Sequence, residues 1–142
     1  MTSKSTEDRI LGVLEEDAQA SYSTIAERAG VSKPTVRKYI DKLESDGVIV
    51  GYSADIDPKK LTGQTIALVG IDVESERYVE VTRKLIELVE VETLYSSSGD
   101  HMLMAEVRAP NGGALGEIIS DEILVLDGVN AAHPTFLQER LK

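Results

Sequence analysis

Four cations, Lys33, Arg37, Lys38 and Lys42, fall within ten consecutive residues of a segment with helical spacing. Cations gathered on one helix face suit the phosphate backbone of a nucleic acid. On a helical wheel Pro34, Lys38, Asp41 and Lys42 oppose the apolar stripe of Val36, Ile40 and Leu43, while Thr35 and Arg37 flank it. Lys33, Pro34 and Thr35 stand at the N-terminal end, the end of a recognition helix that approaches base edges. Arg37 is the candidate for a bidentate guanine contact, because a guanidinium fork matches O6 and N7. Lys33, Lys38 and Lys42 are candidates for phosphate contacts, and Ser32 and Thr35 can donate to phosphates as well. Tyr39 borders the stripe and reads as packing rather than as a base contact.

The elements that must hold this face are legible around it. Residues 22–52, YSTIAERAGVSKPTVRKYIDKLESDGVIVGY, read as a helix-turn-helix leading into a short strand. Ala26 is small where two helices must cross, Gly30 allows the positive φ of the turn, and Val31 and Val36 fill the space between. A first helix is expected over Thr6–Glu16, opened by Ser5 and Asp8. A second is expected from an N-cap at Ser23 to Gly30, and a third from Ser32, with Pro34 in its first turn, to Gly47. Val48–Ile56 then reads as a strand or wing, and Asp57-Pro58-Lys59-Lys60 as a boundary turn.

Beyond the turn the spacing predicts a strand over Thr65–Val73 and a helix over Tyr78–Val89. Strands Val91–Ser97 and His101–Arg108 are expected about a tight hairpin at Ser98-Gly99-Asp100. A helix opening at Gly112-Gly113 runs through about Leu124, and a last strand covers Ala131–Gln138. This βαββαβ order is ferredoxin-like. The fold class is therefore α+β: a winged helix-turn-helix domain over 1–53, a linker over 54–63, and a ferredoxin-like domain over 64–142.

The formal charge of −10 has the wrong sign for a DNA-binding chain. It is unevenly spread. Residues 1–60 carry 9 basic and 11 acidic side chains, and residues 61–142 carry 6 and 14. That distribution suits one end facing DNA and another kept off it by repulsion. The excess acid reads either as an ordinary acidic surface or as that of a chain from a high-salt cytoplasm. There is no cysteine, so neither a disulfide nor a thiolate metal site is available. No apolar run is long enough to span a membrane, and MTSKSTEDR lacks the apolar core of a signal peptide. The chain reads as soluble and cytoplasmic, with no membrane partner.

Catalysis and metal binding fare poorly as readings. With no cysteine, two histidines, no Walker-type loop and no G-x-S-x-G, the chain does not read as an enzyme. His101-Met102-Leu103-Met104 offers ligand types suited to Cu(I), but strand alternation sends them to opposite faces. Methionine packing is preferred there, and His133 reads as a lone structural histidine. No metal ligands and no cofactor are assigned.

The order of parts, with DRILGVLEED (8–17), STIAERAGVSKPTVRKYIDKLESDGVIVGYSADIDP (23–58), SSSGDHMLMAEV (96–107) and LDGV (126–129), resembles the Lrp/AsnC family of leucine-responsive, feast/famine regulators. The resemblance spans nearly the whole chain. It implies a transcriptional regulator of amino-acid or nitrogen metabolism genes that binds double-stranded DNA and a small effector, typically an amino acid. It further implies a homodimer formed through the C-terminal sheets, assembling to a tetramer or octamer, with effector pockets between dimers, near the hairpin at Ser98-Gly99-Asp100. Carried over, the effector residues are Ser97, Ser98, Gly99, Asp100 and His101. Serine hydroxyls and the backbone about Gly99 can serve a carboxylate, and Asp100 an ammonium; the plainer reading is a β-turn with a solvated aspartate. Two positions depart from the family pattern: Met102 stands where an acid is common, and Tyr39 where a basic residue is frequent. The alternatives are an effector-independent architectural DNA-binding protein and a regulator answering to a metal or another small molecule.

Overall fold

A computed structural model describes residues 4–61 and 63–142; Thr62, within the expected linker, and the first three residues lie outside the described set. The chain separates into two compact units that divide between Asp55 and Ile56.

The first unit is three helices: α1 (Thr6–Glu16), α2 (Tyr22–Ala29) and α3 (Lys33–Ser45). Each begins at a serine whose hydroxyl takes up an otherwise unpaired amide of the first turn. Ser5 accepts from the Asp8 amide at 3.1 Å while Asp8 accepts from the Ser5 amide at 3.2 Å, a reciprocal capping box. Ser32 accepts from the Thr35 amide at 3.3 Å. The cap of α2 is Ser21, which accepts from the Thr24 amide at 3.1 Å. Ser23, expected to hold this place, instead lies inside the first turn, so the helix opens two residues earlier. Gly30 closes α2 at φ 71°. Ile10, Val13, Ile25, Ala26, Ala29, Val36 and Ile40 pack between the three helices and set α3 in place.

The expected strand over Val48–Ile56 does not form. The Val48 and Ile49 amides both turn back to the Leu43 carbonyl, at 2.9 and 3.0 Å, which extends the end of α3. Among the described residues no neighbouring strand pairs with residues 50–56, and a single strand cannot satisfy its own amides. Val48, Val50 and Ile56 of this segment remain exposed, Val50 at 95 %.

The second unit is an antiparallel sheet in the order β2-β3-β1-β4, with helices on one face. Its elements are β1 (Thr65–Val73), α4 (Tyr78–Glu87), β2 (Val91–Ser96), β3 (Leu103–Ala109), α5 (Gly112–Ile118) and β4 (Val129–Phe136). A short 3₁₀ turn, Ser75–Arg77, precedes α4, and α5 widens into a π turn over Ile119–Ile123. Ala67, Val69, Ile71 and Val73 alternate along β1 into a core with Val81, Leu85, Leu103, Ala105, Val107, Leu115 and Ile123. The residues between them, Leu68, Gly70 and Asp72, therefore point to the opposite, helix-free face. The hairpin is not tight. Ser96 pairs with Leu103, leaving a six-residue loop over 97–102. Gly99 turns it at φ 127°. The last strand begins at Val129 and ends at Phe136, earlier at both ends than expected.

The two serines near the start of α2 are separable by mutation. Ser21→Ala should destabilise the first unit by about 1 kcal/mol, the usual cost of a lost N-cap. Ser23→Ala should leave it nearly unchanged. Chemical denaturation followed by circular dichroism decides, and equal costs would return the cap to Ser23.

Candidate functional site

The side chains expected to meet DNA share the exposed face of α3. Lys33, Pro34, Arg37, Lys38 and Lys42 are exposed and Thr35 partly so, while Val36, Ile40 and Leu43 are buried beneath them. Two of the seven expected residues already have duties inside the helix. Ser32 caps it, and its hydroxyl lies 2.8 Å from that of Thr35. Either hydroxyl can still offer a lone pair or a proton outward.

The cations differ in freedom. Among the described residues Lys33, Arg37 and Lys38 have no ion-pair partner. Lys42 is held from two sides, by Glu7 at 3.2 Å and Asp46 at 3.8 Å. The hydrogen bond to Glu7, then the charges of Glu7 and Asp46, raise the Lys42 ammonium above its ordinary pKa. Arg37 has a different neighbour: its guanidinium carbon lies 5.7 Å from the centre of the Tyr22 ring. This is cation–π distance, and it limits the directions the fork can take. Tyr22 is a site residue that helical spacing alone does not reveal; its only signal was an aromatic at the start of α2, level with the first turns of α3.

The five residues expected at the effector loop do not behave alike. Ser97, Ser98, Gly99 and Asp100 are exposed. Ser97 uses its amide to reach the Met102 carbonyl at 2.9 Å, and its hydroxyl to reach the His101 carbonyl at 2.7 Å. Its two protons thus close the loop, leaving the Ser98 hydroxyl, backbone amides and Asp100 facing out. Among the described residues Asp100 has no hydrogen-bond or ionic partner.

His101 is drawn away from the other four. Its ring lies flat over Gly70 of β1, so closely that a Cβ built there would stand 2.2 Å from Cδ2. Nδ1 of His101 meets Asp72 Oδ1 at 3.0 Å. Nε2 of His133 on β4 meets Asp72 Oδ2 at 3.2 Å, and the two imidazoles stack with centroids 4.8 Å apart. His133 is therefore not a lone histidine. The hydrogen bond from His101 outweighs partial desolvation and, with a contribution from His133, holds Asp72 below its ordinary pKa. Strand alternation assumed that His101 belongs to β3, whereas it precedes that strand and swings across the open face.

Comparison with known proteins divides the chain in the same way. Residues 5–50 match the model of a winged helix-turn-helix DNA-binding domain. Residues 66–142 match the Lrp/AsnC ligand binding domain. The HTH-type transcriptional regulator LrpA1 of Halobacterium salinarum is 77 % identical over 142 residues, covering both chains completely. The leucine response regulatory protein of Mycobacterium tuberculosis superposes with a TM-score of 0.80 at 26 % identity, over 99 % of this chain and 95 % of that one. A Neisseria meningitidis transcriptional regulator in complex with L-Met superposes with a TM-score of 0.76 at 20 % identity, over 99 % and 93 % of the two chains.

The Lys42 ion pairs generate a prediction. Glu7→Gln should free the ammonium and raise affinity for mixed-sequence duplex DNA by up to about fivefold at low salt, the scale of an exposed ion pair. Unchanged affinity in a fluorescence anisotropy titration would place Lys42 away from the phosphates.

Proposed function

The chain belongs to the Lrp/AsnC family of transcriptional regulators, and on that footing we propose that it reads an operator with α3 and senses an amino acid at the 97–102 loop. As a member it is a DNA-binding transcriptional regulator with a ligand-binding domain, and not an enzyme. The observation that carries the finer reading is the face of α3, which gathers four of the chain's 15 cations within a strongly acidic protein.

Arg37, steadied by Tyr22, reads a guanine through O6 and N7. Lys33 and Lys38 hold flanking phosphates, with Lys42 joining once it leaves Glu7. Ser32, Pro34 and Thr35 bring the helix N-terminus against the duplex, where backbone amides favour an anion. Two such helices in a homodimer contact half-sites about 34–36 Å apart. The dimer forms through the helix-free faces of the sheets and assembles further to a tetramer or octamer. Leu68 and Tyr95 leave apolar surface on that face, which supports the assignment. Acting on DNA, the protein works in the cytoplasm.

The Ser98 hydroxyl and the amides about Gly99 take the effector carboxylate, Asp100 its ammonium, and Ser97 and His101 hold the loop. That a regulator of the same fold binds L-Met supports an amino acid as the ligand class. Ligand binding shifts assembly or helix spacing by no more than its difference in affinity between the two states. The controlled genes belong to amino-acid or nitrogen metabolism.

Fluorescence anisotropy on the chain's own upstream DNA, in low and in molar KCl and with a panel of amino acids, tests this reading. Specific binding that changes with one or a few amino acids is expected. Specific binding indifferent to all of them would remove the effector role. Arg37→Ala should cost about 1–3 kcal/mol on the operator and relax base choice. Lys38→Ala should weaken all sequences alike and flatten the salt slope by about 0.9. If Lys38→Ala altered base preference instead, the two roles would be exchanged. Gly99→Val, forced to a positive φ, should abolish the amino-acid response while operator binding persists; an intact response would move the pocket elsewhere.

A further inference from the structure

Asp72, His101 and His133 come from β1, the 97–102 loop and β4, successive members standing 29 and 32 positions apart in sequence. They nevertheless present three ligand atoms within 4.8 Å of one another on the helix-free face. We propose that this trio is a binding site for a divalent transition cation of the zinc class. The inference does not rest on the amino-acid reading of the loop tip.

Three features carry it. The first is spacing. Zinc binds imidazole nitrogen and carboxylate oxygen at about 2.0–2.2 Å, so neighbouring ligand atoms of a tetrahedral site stand about 3.3–3.5 Å apart. The two nitrogens already stand 3.0 and 3.2 Å from the carboxylate oxygens. An ion is admitted by opening each contact by a few tenths of an ångström and drawing in the more widely spaced ligand atoms, which lie within 4.8 Å of one another. The second is donor chemistry. Two imidazoles and one carboxylate form a set that favours zinc, cobalt, nickel or iron(II) over magnesium or calcium, which prefer all-oxygen shells. Three protein ligands leave one or more positions for water or a further ligand.

The third feature is construction. Gly70 vacates the place that the His101 ring occupies, and any side chain there would collide with it. Gly70 also pairs directly with His133, which puts the second imidazole beside the first. Between Asp72 and Val73 the β1–β4 register slips, and a slip of this kind re-aims side chains at a strand end. The Ser97 hydroxyl bonded to the His101 carbonyl holds the third ligand's backbone in position. In the single chain the side chains are partly open, 25 % for His101, 32 % for Asp72 and 56 % for His133, on the face through which the proposed dimer forms, so an ion bound here lies at that seam.

A simpler role remains as the competing outcome. Asp72 can merely accept hydrogen bonds from the N–H groups of two imidazoles. Stacked imidazoles that are both cationic repel, whereas neutral imidazoles are the ligating form. A metal and a proton therefore make opposite demands on the same atoms.

The test uses the full chain without a polyhistidine tag, stripped with chelator and kept in molar KCl. Isothermal titration calorimetry with zinc chloride should show saturable uptake of one ion per chain, with magnesium chloride silent. Removing an outer-shell partner costs about 10–100-fold in metal affinity, and removing a ligand costs at least as much. His133→Ala and Asp72→Asn should therefore each weaken uptake by that factor or more, with circular dichroism unchanged. Cobalt(II) should give visible d–d absorption of low-symmetry coordination in the parent chain, lost in His133→Ala. No saturable uptake, or uptake that both variants retain, overturns the site. None of these readouts involves DNA or an amino acid, so their failure leaves the regulator reading untouched, and the converse holds too.

Discussion

The second unit depends on the period-two alternation of β1. This strand lies between β3 and β4, so it bonds on both edges and faces two environments at once. Ala67, Val69, Ile71 and Val73 supply the floor under α4 and α5. Leu68, Gly70 and Asp72 face the other way, and the histidine cluster on this face is placed against Gly70 and Asp72. A one-residue slip would exchange the two sets, putting Asp72 into the core and Val69 onto the open face. Burial of the apolar set on one side thus fixes the chemistry available on the other.

The first unit solves a different problem, keeping a cationic surface on a protein that carries −10 overall. Its solution is a division of labour around α3. Val36, Ile40 and Leu43 anchor the helix, so its outer face is free of packing duties. Among the described residues acids reach only Lys42 of its four cations, Glu7 from α1 and Asp46 from the end of α3. A high charge density elsewhere is compatible with DNA binding because exposed charges more than about 8–10 Å apart are largely screened at ordinary ionic strength, and over shorter distances still in concentrated salt.

Local signals were legible where one residue decides the outcome. Ser5 with Asp8, Ser32 with Pro34, and Gly30 placed helix ends correctly because capping acts over three or four residues. Ser21 and Ser23 show the limit: both are good caps, and the helix opens at the earlier of the two. The Val48–Ile56 segment has strand composition, but a strand is a property of a pair, and no partner is visible in a single segment. The order βαββαβ was readable from alternation, whereas the length of the 97–102 loop was not, because it depends on where β2 and β3 stop pairing. Asp72, His101 and His133 escaped for the same reason. Each is unremarked in its own stretch, and only the register that sets Gly70 opposite His133 brings them together. Tyr22 was missed because its relation to Arg37 arises from helix packing rather than from spacing along one helix.

The His101 ring over Gly70 has a mechanical consequence. The imidazole stands where β1 has no side chain of its own, so the loop is keyed into the middle of the sheet rather than hung from its end. A ligand that draws the loop outward must first lift the ring, uncovering backbone in a strand bonded to neighbours on both edges. The loop is thus anchored at the central strand as well as at its own two ends.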